Sequence, residues 1–225
     1  MAERPKWNDA MRLTAYYNCR SQKPHFAFLR FPKRVLEVQL QVGPDNLLSA
    51  CDESVRYKIR RAQREGVTSE IESDQETFRS FYNIFADSKG LEELDSRQLN
   101  FYWSSLIVTK AMHQGAPLAM HAYMVDAKAD RATLLYSCSH FRNAEDSKTR
   151  NFLGNASRFL YWDDMRRFSD LGIKTFDFGY FGNEDQISQV NQFKKGYPCE
   201  EKNVSTYISL PLYFFMRLTR KNPTF

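Results

Sequence analysis

At 225 residues, 42% of them hydrophobic and 26% charged, the chain is sized for one generous core and has the composition of a folded protein in water. No stretch approaches the ~20 apolar residues of a spanning helix, and Met1 to Trp7 lacks the apolar core of a secretory signal, so no membrane span and a cytoplasmic location are expected. A net charge of +5 and a sequence pI near 9.0 suit an anionic partner (cofactor phosphates, a nucleotide-linked substrate or RNA), although 27 acidic side chains stand among the 32 basic ones.

In chain order, residues 1–24 read as an N-terminal extension. His25 to Phe31 and Val35 to Val42 then read as strands; in the second, Leu36, Val38, Leu40 and Val42 share one side, a period-2 pattern that Gly43-Pro44-Asp45-Asn46 ends. Leu48, Cys51, Val55, Ile59 and Ala62 form an apolar stripe that predicts one helix over Leu47 to Glu65, stopped by Gly66. Ser73 and Glu76 stand at capping-box spacing before a second helix, with Phe78, Phe81, Tyr82 and Phe85 on one face. A third helix is expected from Ser96 to His113, burying Leu99, Tyr102, Trp103, Leu106 and Ile107. A hairpin follows, Leu118 to Val125 and Arg131 to Ser139 around the turn Asp126 to Asp130. The remainder reads as a long helix from Asn151 to Leu171, a buried strand from Ile173 to Phe178, a short helix from Gln186 to Lys195 and a strand from Asn203 to Leu210. The aromatic tail within 211–225 either covers a homodimer seam or completes the core. Without repeats or linkers, the order implies a single α/β domain over 1–225.

The four cysteines are irregularly spaced and read as buried free thiols; the four histidines make no i, i+4 pair, so no metal site is expected. There is no G-x-S-x-G elbow, P-loop lysine motif or H-E-x-x-H helix.

Four stretches, taken with this element order, resemble the GNAT acyltransferases, specifically the Fem-type branch that builds peptidoglycan bridges and its single-domain relatives in surface-polysaccharide synthesis. They are Ser54 to Ala62, Asn151-Phe152-Leu153-Gly154-Asn155, Phe176-Asp177-Phe178-Gly179 and Phe193-Lys194-Lys195-Gly196-Tyr197. The resemblance implies a GNAT-type domain, with a mixed, mostly antiparallel sheet flanked by helices. It also implies an N-acyltransferase acting on an amino sugar or a cell-wall precursor. Fem enzymes that use aminoacyl-tRNA carry two such domains, whereas this chain has room for one. The expected cosubstrate is therefore acyl-coenzyme A, with tRNA as the alternative donor and a non-catalytic RNA-binding module as the alternative from another class. The GNAT pyrophosphate loop is matched only at its end, since Arg150 to Gly154 is one residue too long.

Amide formation needs an aligned carbonyl, a deprotonated amine and a partner for the oxyanion. The resemblance places Lys194 at the reaction centre, with a solvated lysine as the alternative. Asp177 and Tyr180, at a strand end facing the cleft, are candidates for proton transfer, and Asp177 alternatively ties down the following turn. His140 is a further candidate base. Arg150, Gly154 and Asn155 form the expected donor cradle at a helix start, with Phe193 beside it. Arg56 and Arg60, one helical turn apart, are candidates for an acceptor's diphosphate, or else a solvated face.

Overall fold

The computed structural model describes residues 4–144, 146–181 and 192–218, and of Pro44, Arg142 and Asn143 only the backbone. Eight strands form one sheet: β1 (Ala15–Cys19), β2 (Phe28–Gln39), β3 (Thr68–Ile71), β4 (Leu106–His113), β5 (Ala116–Asp126), β6 (Arg131–Ser139), β7 (Thr175–Tyr180) and β8 (Cys199–Ser209). Their spatial order is β1-β8-β2-β7-β6-β5-β4-β3. Every neighbouring pair is antiparallel except β6 and β7. A parallel pair needs a crossover, and the long helix α5 (Ser147–Asp170) supplies it. The expected α/β architecture, a mostly antiparallel sheet flanked by helices, is what forms.

Helix α5 and α2 (Glu53–Arg64) cover one face of the sheet. Val55, Ile59, Leu160, Phe168, Phe176 and Phe178 are buried between them and the strands, each such side chain worth about 1.5–3 kcal/mol of burial. Helices α3 (Gln75–Lys89) and α4 (Ser96–Tyr102) cover the other face through Phe78, Phe81, Leu99 and Met120. All four cysteines are free thiols, three of them buried.

Several expectations are corrected. The helix from Ser96 to His113 ends at Tyr102, and Leu106 to His113 is β4. The β-branched run Ile107-Val108-Thr109 favours a strand, and Gln114 and Gly115, both with positive φ (50° and 81°), make the tight turn that pairs it with β5. The helix expected from Leu47 to Glu65 is two, α1 (Pro44–Ala50) and α2. Cys51 and Asp52 are extended between them, and the Arg56 guanidinium closes the break by donating to the carbonyls of Ser49 and Cys51. The two strands His25 to Phe31 and Val35 to Val42 are one, β2. Asp74 rather than Ser73 caps α3, accepting from Thr77 N. The aromatic tail begins as a helix, α6 (Leu210–Leu218), and β1 and β3 complete the sheet edges. The expected helix from Gln186 to Lys195 lies outside the described residues except for a helical turn at 192–195.

Candidate active site

Strands β6 and β7 pair only over Arg131–Thr133 and Thr175–Asp177. Past Asp177 the ladder stops, and Gly179 takes a left-handed φ of 80°. On the side away from β6, Phe181 N donates to Arg34 O of β2 at 2.9 Å. Backbone groups alternate along a strand, so the carbonyls of Phe178 and Tyr180 face the other edge, where β6 no longer follows. Both are taken by one side chain: Lys194 Nζ donates to Phe178 O at 2.9 Å and to Tyr180 O at 3.2 Å. The ammonium thus occupies the gap left by the parting strands. Burial pulls its pKa below the usual lysine value, opposed by the charge of Asp177. An ammonium has three N–H donors, and the third has no partner among the described residues.

The turn carrying Lys194 is fixed by close packing. A Cβ on Gly196 would stand 2.6 Å from Val55 Cγ2, so only glycine lets this turn lie against α2, where Asp52 N donates to Gly196 O. Phe193 and Tyr197 pack on Tyr161, with ring centroids 5.4 and 6.0 Å apart. Tyr161 projects from α5 across the gap, its hydroxyl donating to Ser137 Oγ of β6 at 2.8 Å and its ring 5.3 Å from Phe178 of β7. Behind it His121 lies 3.9 Å away, held by Asp164, which also accepts from Tyr123. Sequence reasoning missed Tyr161 and Ser137 because neither sits in a motif; only the fold brings α5 over the gap.

Asp177 is fully buried but engaged. Arg131 bridges it and Glu37 at 2.5 and 2.7 Å, Asn18 donates to it at 3.1 Å, and Gly179 N donates to it at 2.8 Å. It therefore does tie down the turn that ends β7. Tyr180 is exposed beyond it, beside a cavity of about 240 Å³ lined also by Lys33, Arg34 and Asn203. Burial lowers the Lys33 pKa, opposed by the charge of Asp177. Asp177, Tyr180 and Lys194 thus meet at the end of β7. His140 is not part of that group: its ring stacks on Phe81, 4.0 Å between centroids, on the α3 face.

The expected donor cradle is placed differently. Helix α5 begins at Ser147, four residues before Asn151, because the Asp146 carboxylate caps it through the N–H groups of Lys148 and Thr149 at 2.8 and 2.9 Å. Gly154 and Asn155 therefore lie within the helix, their N–H groups used by the helical ladder, with Asn155 buried. Arg150 is exposed and donates to Ala144 O. Gly154 and Phe193 do meet, through Arg158, which donates to Gly154 O at 2.9 Å and covers the Phe193 ring at 4.6 Å. Arg158 lowers the pKa of Lys58 by like-charge repulsion, and its own is lowered by burial. Neither forms an ion pair with a described acid, so the two make an uncompensated cationic spot between α2 and α5. On α2, Arg56 is spent on the carbonyls of Ser49 and Cys51, and Arg60 is exposed.

These elements define an α/β fold with one parallel step, found also in several solved structures. FemX matches with a TM-score of 0.64 at 16% identity, over 94% of this chain and 69% of its own. L-PGS from Bacillus licheniformis matches with a TM-score of 0.57 at 14% identity, over 87% of this chain and 67% of its own. The C-terminal domain of a protein described as a lysylphosphatidylglycerol synthetase, from Agrobacterium fabrum, matches with a TM-score of 0.54 at 15% identity, over 81% of this chain and 62% of its own. The chain has the fold of FemX and spans about two thirds of the length of these structures. No protein-family model matches the sequence, and no curated protein matches it.

Proposed function

We propose that the chain is an N-acyltransferase that moves an acyl group from an activated carrier to an amine at the gap between β6 and β7. The observation that carries this is Lys194: a buried cation at the free edge of β7 with one N–H donor that no described residue takes. The amine nitrogen attacks the carrier's carbonyl carbon, the new C–N bond forms, and the carbonyl oxygen takes the negative charge. Lys194 meets that oxyanion. As the tetrahedral centre collapses the carrier leaves on its sulfur or oxygen, the amine proton passing to a base and the leaving atom gaining one. Tyr180, exposed at the strand end, supplies that proton. Asp177, bound by Arg131, holds the end of β7 rather than serving as base.

For the donor, an acyl-coenzyme A thioester remains the first reading, its phosphates drawn by Lys58 and Arg158. The acceptor is an amino sugar, nucleotide-linked, or a cell-wall precursor, for which the exposed Arg60 of α2 is a candidate contact. One observation favours aminoacyl-tRNA instead: the Asp146 carboxylate already occupies the helix start on which a pyrophosphate would sit, and repels it. The test is to supply the purified chain with acetyl-coenzyme A or with charged tRNA, together with amine acceptors, and to detect the amide by mass spectrometry. Thermal shift with coenzyme A and with tRNA then ranks the donors. Amide formed from neither, with stabilisation by RNA alone, would overturn the reading in favour of an RNA-binding module.

A further inference from the structure

One end of the molecule exposes apolar side chains that no described element covers. Here β1 and β2 begin and β8 finishes, with Ala15 opposite Ile208 and Phe28 opposite Ser209. Helix α6 leaves from this point, and it buries none of its nine residues, although seven of them (Leu, Tyr, Phe and Met) are large and apolar. Phe214 is exposed and Leu218 is 84% exposed. The segments before β1 and β2 lie against its start: Ser209 Oγ donates to Arg12 O at 2.5 Å, and Leu210 N donates to Ala27 O at 3.0 Å. On these segments Trp7 (71% exposed) stacks on Phe26 (75%) at 5.2 Å, and Met11 is 84% exposed. Large apolar side chains left in water at one place mark an interaction surface.

The charge around this patch says what covers it. Residues 4–34 hold eight lysines and arginines and a single acid, Asp9, and α6 adds Arg217 with no acid, whereas the whole chain is nearly balanced at 32 to 27. Arg4, Lys6, Lys23, Arg30 and Arg217 are exposed and form no ion pair with a described acid. Exposed aromatics and exposed cations without acidic partners on the same segments are the chemistry of an anionic lipid surface, where the rings enter the interface and the cations meet phosphates. A protein partner would have to be both greasy and acidic; a second copy would bring like charge against like.

We propose that this end of the molecule docks on an anionic membrane surface. The placement gives the docking a consequence. Strands β2 and β8 run past the end of β7, pairing from Arg34–Asn203 out to Phe28–Ser209. The patch therefore lies roughly 20 Å beyond Tyr180, in the direction toward which β7 points. A docked molecule turns the end of β7, with Lys194, toward the bilayer.

Co-sedimentation of the whole chain with vesicles tests this, and it does not depend on acyl transfer. Vesicles of phosphatidylglycerol and phosphatidylcholine are expected to bind the chain, and phosphatidylcholine alone to bind it on the order of tenfold less. The pairs Trp7→Ser with Phe26→Ser, and Phe214→Ser with Leu218→Ser, each lower binding by about tenfold or more. All four side chains are exposed, so the circular-dichroism melt of each variant stays that of the parent. Binding that is absent at low salt, equal on both vesicles, or unchanged in both variants overturns the proposal. So does a dimer in light scattering that dissolves in the same variants, which gives the patch to a second copy.

Discussion

Two cations are buried beside β7, and the fold treats them in opposite ways. Arg131, at the paired end, lies between two fully buried carboxylates, Asp177 and Glu37, the latter also paired with Arg20, so its charge is balanced. Lys194, at the unpaired end, donates among the described residues to two backbone carbonyls and forms no ion pair. The first arrangement uses charge to pin three strands together. The second keeps a positive charge in a poor solvent with a donor that no described residue takes, which stability does not ask for and oxyanion binding does.

The largest expected effect breaks the first site. Arg131→Leu leaves Asp177 in the interior without its cation and Glu37 with only the half-exposed Arg20, at a cost of about 3–5 kcal/mol, and a fall of roughly 10 °C in Tm follows for a chain of this length. A scanning-calorimetry Tm within a degree or two of the parent would show that the cluster is not what holds β2, β6 and β7 together. The second site answers differently. Lys194→Met is expected to lower kcat by ~10²-fold or more while the Tm changes by only a few degrees, because a neutral chain of similar length relieves a buried charge. Near-normal kcat in that variant removes Lys194 from the mechanism.

The pH dependence sharpens the contrast. The Lys194 pKa is depressed by burial, so between its folded value and the ordinary value of 10.5 the unfolded chain binds more protons. The penalty for burying this charge is fully present below the folded pKa and is relieved as pH rises toward 10.5, so its stability term improves over that window. Turnover moves the other way, since only the charged form stabilises an oxyanion, and kcat falls as pH rises through the depressed pKa. Lys194→Arg, which stays charged, is expected to lose that alkaline limb. An identical limb in both proteins would assign it to another group.

Much of this contrast was readable before folding, and the unread part has physical causes. The F-K-K-G-Y stretch pointed to Lys194 as a special lysine, and Gly196 shows why the motif needs its glycine: α2 passes too close for a Cβ. Asp177 was open between chemistry and turn-making, and only Arg131, 46 positions away, decides how much of it is spent on structure. Tyr161 and Ser137 stayed hidden because periodicity marks which face of α5 is buried without saying which ring will cross a gap between strands. The helix read through Ser96 to His113 failed for a related reason: three β-branched residues and a Gln-Gly turn outweighed an apolar spacing that suits either structure. Helix α5 starts before the position the family pattern implies because Asp146, eight residues ahead of Gly154, is the better cap.

That cap gives the smallest effect and the one most telling for the donor. Asp146→Ala removes the acceptor for two N–H groups and is expected to cost about 1 kcal/mol, a Tm drop of a few degrees. It also removes a negative charge from the helix start and frees amides that face anions favourably. If the carrier is coenzyme A and its pyrophosphate is meant for this position, the variant binds coenzyme A more tightly than the parent, and the gain in thermal shift offsets part of the lost cap. If the carrier is aminoacyl-tRNA held elsewhere, the cap is lost and coenzyme A restores nothing. Titrating both proteins with coenzyme A while following the melt separates the cases, because the cap term is the same in each and only the ligand term differs.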